Sequence, residues 1–367
     1  MVICKSCFND PEIISIIQNI GHVGECPICG AKGVAIYDTS IDDSLKGVLD
    51  SLLSVYTAKS DLPPDFPEKG ERSLGDVLKN DWSIFNETVS SENILQIVKE
   101  LSPDIYRDFR SLFEEPVAIA EKYDLDYLKG HSILRTQKWS DFVAEIKHKN
   151  RFHSNLINTD LLKDYCLQIA EEIPVDKRRF YRGRIARNGK GYSPHEMGAP
   201  PPEKAVDGRA NSAGISRLYL TDSRETTLHE IRAAEYDYVT IGTFKLLRPI
   251  KVVDLRRIST ISPMGADIDC TALAINLEHL QKINEEMSKT MRRGDSPLDY
   301  LPTQYICDFV KSITDEYDNP VFDGIIFRSA MHKRGSNLTV FDPDLFKCTY
   351  CRTFEVTKLT YHKAPLT

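Results

Sequence analysis

A mixed α+β chain in three parts is what these 367 residues predict. Three observations carry that expectation. Two C-x-x-C pairs lie between Cys4 and Cys29, apolar residues recur at three- and four-residue spacing from about Tyr37 to Glu172, and short β-rich runs alternate with helical runs from Ile173 onward. The expected domains are residues 1–36, a small metal ribbon; 37–172, all-helical; and 173–367, α+β.

Composition sets the bounds. The chain is long enough for each part to bury a core, and 41% hydrophobic with 28% charged residues is the balance of a globular protein. A net charge of -7 gives no global attraction to nucleic acid or an anionic membrane. A local basic patch would still suit nucleic acid, which stays open as a partner. No apolar run reaches bilayer length and the amino terminus lacks a signal-peptide pattern, so the expected location is cytoplasmic, with no membrane partner.

The ribbon comes first in the chain. Cys4-Lys5-Ser6-Cys7 and Cys26-Pro27-Ile28-Cys29 are separated by eighteen residues. Each pair presents two sulfurs along one edge of a tetrahedron, which is the spacing of a four-thiolate zinc site. Four protein ligands leave no open position, so the zinc is expected to fold the module and not to catalyse. His22 lies between the pairs and is not needed as a ligand when four thiolates are present. Cys348 and Cys351 form a third C-x-x-C without a partner pair, a weak pointer to metal or redox chemistry. Cys166, Cys270 and Cys307 read as core thiols.

In the middle part, SLKGVLDSLLSVY, ENILQIVKELSPDIYRDFRSLF and WSDFVAEIKHKNRF have helical spacing, and DLPPDFPEKGE reads as a loop. No nucleophile constellation occurs there, so an accessory helical domain is expected.

The third part opens with seven Lys or Arg from Lys177 to Lys190. Alone, such a run is a solvated face or a nucleic-acid patch. Phe180 and Tyr181 give it the character of a strand, and an arginine on a strand is a good phosphate ligand because its planar fork binds two oxygens. HEMGAPPPEKAVDGRANSAG then reads as a long loop, of a length that is often functional. RLYLT, YVTIGTFKL, IKVVDL, DGIIFRS and NLTVFD read as strands; ETTLHEIRAA, TALAINLEHLQKINEEM and QYICDFVKSI read as helices. Neither GxGxxG nor GxxxxGK[ST] is present to account for phosphate-friendly arginines.

The run APPPEKAVDGRANSAGISRLYLTDSRETTLHEIR, with YLPTQYICDFV and FDGIIFRSA after it, resembles the RES domain, the toxin component of RES–Xre toxin–antitoxin pairs. The resemblance covers about Phe180 to Asp342, in family order. The paired C-x-x-C module and the helices before it are similar to the HEPN-like domain fused to some RES proteins. The resemblance implies an ADP-ribosyltransferase-like fold and an enzyme acting on NAD, by phosphorolysis or hydrolysis of the nicotinamide bond. Protein ADP-ribosylation is the alternative acceptor chemistry. The family arginine falls on Arg182, the tyrosine on Tyr219, the glutamate on Glu230 and the serine on Ser329, with Arg209 matching a second arginine. A toxic NAD-degrading activity further implies restraint by an antitoxin or release by a trigger such as phage, and a homo-oligomer is compatible with it.

These residue types suit that chemistry on physical grounds as well. Cleaving the ribose–nicotinamide bond passes through an oxocarbenium-like state, which a carboxylate such as Glu230 stabilises. Arg182 and Arg209 would hold the diphosphate, Tyr219 would pack on the ribose or nicotinamide, and Ser329 would orient Glu230 or the ribose. Arg184 is the candidate cation for an attacking inorganic phosphate. Taken singly, Tyr219 is an ordinary strand aromatic, Glu230 an ordinary helix-surface acid and Ser329 an ordinary turn residue. It is the ordered blocks that turn them into a site. An RNA-binding or HEPN-type ribonuclease role would need an arginine followed by histidine at short spacing; Arg224 and His229 offer one, but outside the helical region.

Overall fold

The computed structural model describes residues 1–67, 72–176, 178–265, 268–290 and 296–360. Lys177, the first of the basic run, lies outside them. The chain divides into two compact units, Met1–Thr136 with Ser259–Glu278, and Gln137–Ile258 with His279–Thr367. Their limits differ from the expected 36/37 and 172/173 boundaries.

In the first unit, β1 (Val2–Cys4), β2 (Val23–Glu25) and β3 (Lys32–Asp38) form an antiparallel sheet in the order β1-β3-β2. Helix α1 (Pro11–Ile20) fills the spacer between the cysteine pairs. Asp10 caps it by accepting from the backbone of Glu12 and Ile13, Pro11 sits at its first position, and Gly21 ends it at φ 77°. The ribbon joins the helices after it: Asn9 N donates to Ile84 O at 2.7 Å, and the Phe8 and Phe85 rings lie 5.4 Å apart. Then follow α2 (Asp50–Leu53), α3 (Leu74–Asn80), α4 (Ser91–Leu101), α5 (Pro103–Asp108), α6 (Ser111–Glu114) and α7 (Leu125–His131), with β4 (Thr57–Ala58) pairing β5 (Val117–Ala118). The run SLKGVLDSLLSVY yields only the four residues of α2, because Gly47 at φ 75° turns the chain where a helix would have to continue. Asn276 ties the 259–278 segment into this unit, accepting from Ile133 N at 2.7 Å and donating to His131 O at 2.6 Å.

The second unit is built on an eight-stranded sheet. Its strands are β6 (Ala170–Ile173), β7 (Phe180–Ala186), β8 (Leu218–Thr221), β9 (Tyr238–Leu246), β10 (Ile250–Asp254), β11 (Gly324–Arg328), β12 (Ser336–Val340) and β13 (Phe346–Glu355). Their order is β13-β9-β7-β8-β12-β11-β10-β6, antiparallel except for β10 beside β11. Helices α8 (Trp139–His148), α9 (Thr159–Gln168), α10 (Arg224–Glu230), the last half of α11 (Cys270–Ser288) and α12 (Leu301–Ser312) complete it. One core cluster runs through Phe180, Leu218, Leu220, Phe244, Val252, Ile326 and Leu338. All five residues of β12 are buried, as in a central strand covered on both faces. The strand and helix runs read from the sequence after Ile173 all form the expected elements, while β6 and β13 were not anticipated.

One irregularity opens the site. Among the described residues Tyr181 and Thr221 are the single partner pair between β7 and β8, so the strands part beyond it and leave a gap toward Arg182 and Tyr219. Gly183 lets α10 close on this gap, since a Cβ there would fall 2.6 Å from Thr227 Cγ2.

Candidate active site

A cleft of about 520 Å³ lies in that gap, lined by Arg182, Gly183, Arg209, Tyr219, Thr227, Glu230, Arg232, Tyr300 and Asn337, among others. Strands β7, β8, β11 and β12, helix α10 and the loops between them converge here. Strands β7 and β8 bring Arg182 and Tyr219, α10 brings Glu230, and β12 brings Asn337.

Helix α10 follows β8 after two residues, because Ser223 caps it by accepting from Thr226 N at 3.0 Å. Glu230 is therefore the last residue of a two-turn helix, where a carboxylate opposes the helix dipole and needs donors. Two neutral donors meet it at one oxygen: Ser329 Oγ at 2.5 Å and Asn337 Nδ2 at 2.8 Å, both to Oε1. The serine proton has one direction available, because Ser329 Oγ already accepts from Met331 N at 3.2 Å and His332 N at 3.0 Å. Among the described residues Oε2 takes no hydrogen bond. The carboxylate is thus fixed through one oxygen while the other remains for a ligand.

The arginines divide. Arg182 lines the cleft and donates to Gly198 O at 2.5 Å. Burial, and secondarily the Arg184 charge, bring its pKa down to about 10. Arg184 points to the 194–197 turn instead, donating to Glu196 O with its guanidinium 4.1 Å over the Tyr192 ring, and it does not line the cleft. Arg209 does line it, with its guanidinium on the carbonyls of Glu286 and Lys289 at the end of α11. Burial lowers its pKa, against the raising influence of Tyr300 and Glu230.

The turn that carries Arg209 is clamped. Tyr219 OH donates to Asn211 Oδ1 at 2.6 Å and accepts from Ala210 N at 3.1 Å, and Gln304 Nε2 donates to the carbonyls of Gly208 and Asn211, each at 2.9 Å. Burial keeps the Tyr219 phenol well above its ordinary pKa, so it is neutral. Tyr219 therefore has a structural duty beside any contact with a ligand. Asn211, Gln304, Arg232 and Asn337 escaped the sequence reading. The one available signal was the polar start of NLTVFD, where an asparagine opens a strand that is otherwise apolar and β-branched.

The cysteine pairs come together as expected. Sγ separations are 3.3 Å for Cys4 and Cys29, 3.6 Å for Cys7 and Cys26, and 3.9 Å for Cys4 and Cys7. A tetrahedral zinc bound to sulfur at ~2.3 Å requires about 3.8 Å between sulfurs. The thiols are free, and the four ligand atoms all lie within 4.8 Å of one another, compatible with a structural zinc. Burial raises the pKa of Cys7. At Cys26 burial is outweighed by donors from the backbone of Cys29 and Ile28, which bring the thiol to about 7. Cys348 and Cys351 instead lie on β13 and pack on the sheet core, with Cys351 Sγ donating to Tyr192 O at 3.0 Å. Among the described residues no helix is long and apolar enough to cross a membrane.

Residues 182–359 match the RES domain family, a span that contains every side chain named in the cleft. No curated protein matches the chain.

Proposed function

With residues 182–359 belonging to the RES domain family, we propose that the cleft binds NAD and cleaves its nicotinamide–ribose bond. The observation that carries this reading is the Glu230 carboxylate, held at Oε1 by Ser329 and Asn337 with Oε2 available, in a cleft also lined by Arg182 and Arg209. In this reading Arg182 and Arg209 hold the diphosphate. Oε2 accepts from a ribose hydroxyl and stabilises positive charge as the bond to nicotinamide lengthens. The bonding electron pair leaves with nicotinamide and neutralises its ring nitrogen. Water, or inorganic phosphate, then forms the new bond to ribose, and water loses a proton in doing so. Nicotinamide leaves without protonation, so positioning and electrostatics supply the catalysis.

Such an enzyme would drain NAD from its own cell and act as a toxin or defence effector, with an antitoxin or trigger as its controlling partner. The test is nicotinamide release from NAD by the full chain, with and without phosphate, with the product identified by mass. ADP-ribose phosphate formed only with phosphate identifies a phosphorylase, and ADP-ribose formed in both conditions identifies a hydrolase. No release in either condition overturns the reading.

A further inference from the structure

We propose that Glu225, His229 and His332 form a second metal site, binding one divalent transition-metal ion of the zinc class beside the Glu230 carboxylate. One ligand atom from each of the three side chains can be chosen so that all lie within 4.8 Å of one another. Glu225 and His229 are four residues apart on α10 and so share a face of the helix. His332 comes from the turn after β11, its ring parallel to that of His229 (9°) with centroids 5.0 Å apart.

His332 is the fixed member of the set, and its hydrogen bonds decide its tautomer. Its Nδ1 lies 2.9 Å from Thr226 Oγ1, which in turn lies 2.9 Å from Asp222 Oδ1. Asp222 can only accept, taking Ser336 N and Ser336 Oγ on its other oxygen at 2.8 Å each. The Thr226 proton therefore goes to Asp222, and Thr226 Oγ1 accepts from Nδ1–H and from Ser223 Oγ, 2.7 Å away. That leaves the lone pair on Nε2, which lies 3.9 Å from Glu225 Oε1. Metal-binding histidines donate their other ring N–H to an oxygen acceptor that fixes the tautomer; here that acceptor is the Thr226 hydroxyl, itself held by Asp222. Gly335 preserves it, since a Cβ there would fall on Thr226 Oγ1 and His332 Nδ1.

Two borderline imidazoles and one hard carboxylate oxygen make a ligand set that zinc accepts, with a water completing four-coordination. A tetrahedral ion needs its ligand atoms ~3.4 Å apart. Exposed Glu225 and His229 close that difference by side-chain rotation onto His332, His229 turning out of its parallel stack. The backbone N–H of His332 also donates to Ser329 Oγ, which donates to Glu230, so the ion would sit two hydrogen bonds from the candidate catalytic carboxylate.

The experiment is calorimetric titration of zinc chloride into the full chain, prepared with its four-cysteine centre already filled and its zinc content measured. The expected result is one further zinc per chain, bound at least tenfold more weakly by His229→Ala and by Glu225→Ala, both with unchanged melting temperatures because both side chains are exposed. No further zinc, or equal affinity in His229→Ala, overturns the proposal. The readout does not depend on NAD cleavage, so it stands or falls separately from that reading.

Discussion

The four-cysteine centre and the cleft are both sets of side chains drawn to a point, yet they are assembled at different levels. In the ribbon, two ligands come from each tight turn, and the turns are fixed by their own backbone bonds, such as Gly30 N to Cys26 O at 2.8 Å. In the cleft, Glu230 and its donors Ser329 and Asn337 are 99 and 107 residues apart. A local site is legible as spacing, whereas a distributed site exists only when a sheet sets its strands in order.

The largest effect should come from breaking the local site. A structural zinc contributes on the order of 10 kcal/mol to folding, so Cys26→Ser is expected to remove zinc from the ribbon and open residues 1–38 to protease. Zinc content and limited proteolysis measure this, and a ribbon that stays folded without metal would remove the contrast drawn above. The distributed site should lose function and keep its fold. Glu230→Gln is expected to slow nicotinamide release by roughly 10²–10³, with a melting temperature close to that of the parent.

A finer cut separates the carboxylate from its donors. Asn337→Leu removes one hydrogen bond to a charged group, worth roughly 1.5–3 kcal/mol. The expected outcome is a loss in kcat of about tenfold or more with KM little changed, since Asn337 acts through Glu230. A rise in KM alone would show that Asn337 serves ligand binding instead.

The smallest expected effect has the opposite sign for stability. Burial holds the Arg182 pKa at about 10, below its ordinary value, so the charged side chain costs the folded state roughly 2–3 kcal/mol, offset in part by its bond to Gly198. Arg182→Met is expected to raise the melting temperature by a few degrees while weakening NAD binding. Because the folded pKa lies below the unfolded one, the penalty is fully present below about pH 10 and vanishes only as the pH passes the ordinary arginine value. The gain should therefore be constant between roughly pH 6 and pH 9. A fall in melting temperature would mean that Arg182 is a structural cation and not one held for a ligand.

By itself the sequence determined what depends on near neighbours. The C-x-x-C spacing specified the sulfur cluster, and alternating and helical apolar patterns specified the central elements of the second unit, because backbone periodicity decides which side chains share a face. Glu230, Ser329, Arg182 and Arg209 were legible only through blocks recurring in family order, since none has a local signature. Tertiary structure alone decided the rest. It sent Arg184 to a turn carbonyl and away from the cleft, gave the Tyr219 hydroxyl to the Arg209 turn, and brought Asn337 from a buried strand to Glu230. Each outcome depends on which strands are neighbours and where β7 and β8 separate, and no residue's own environment in the chain encodes that.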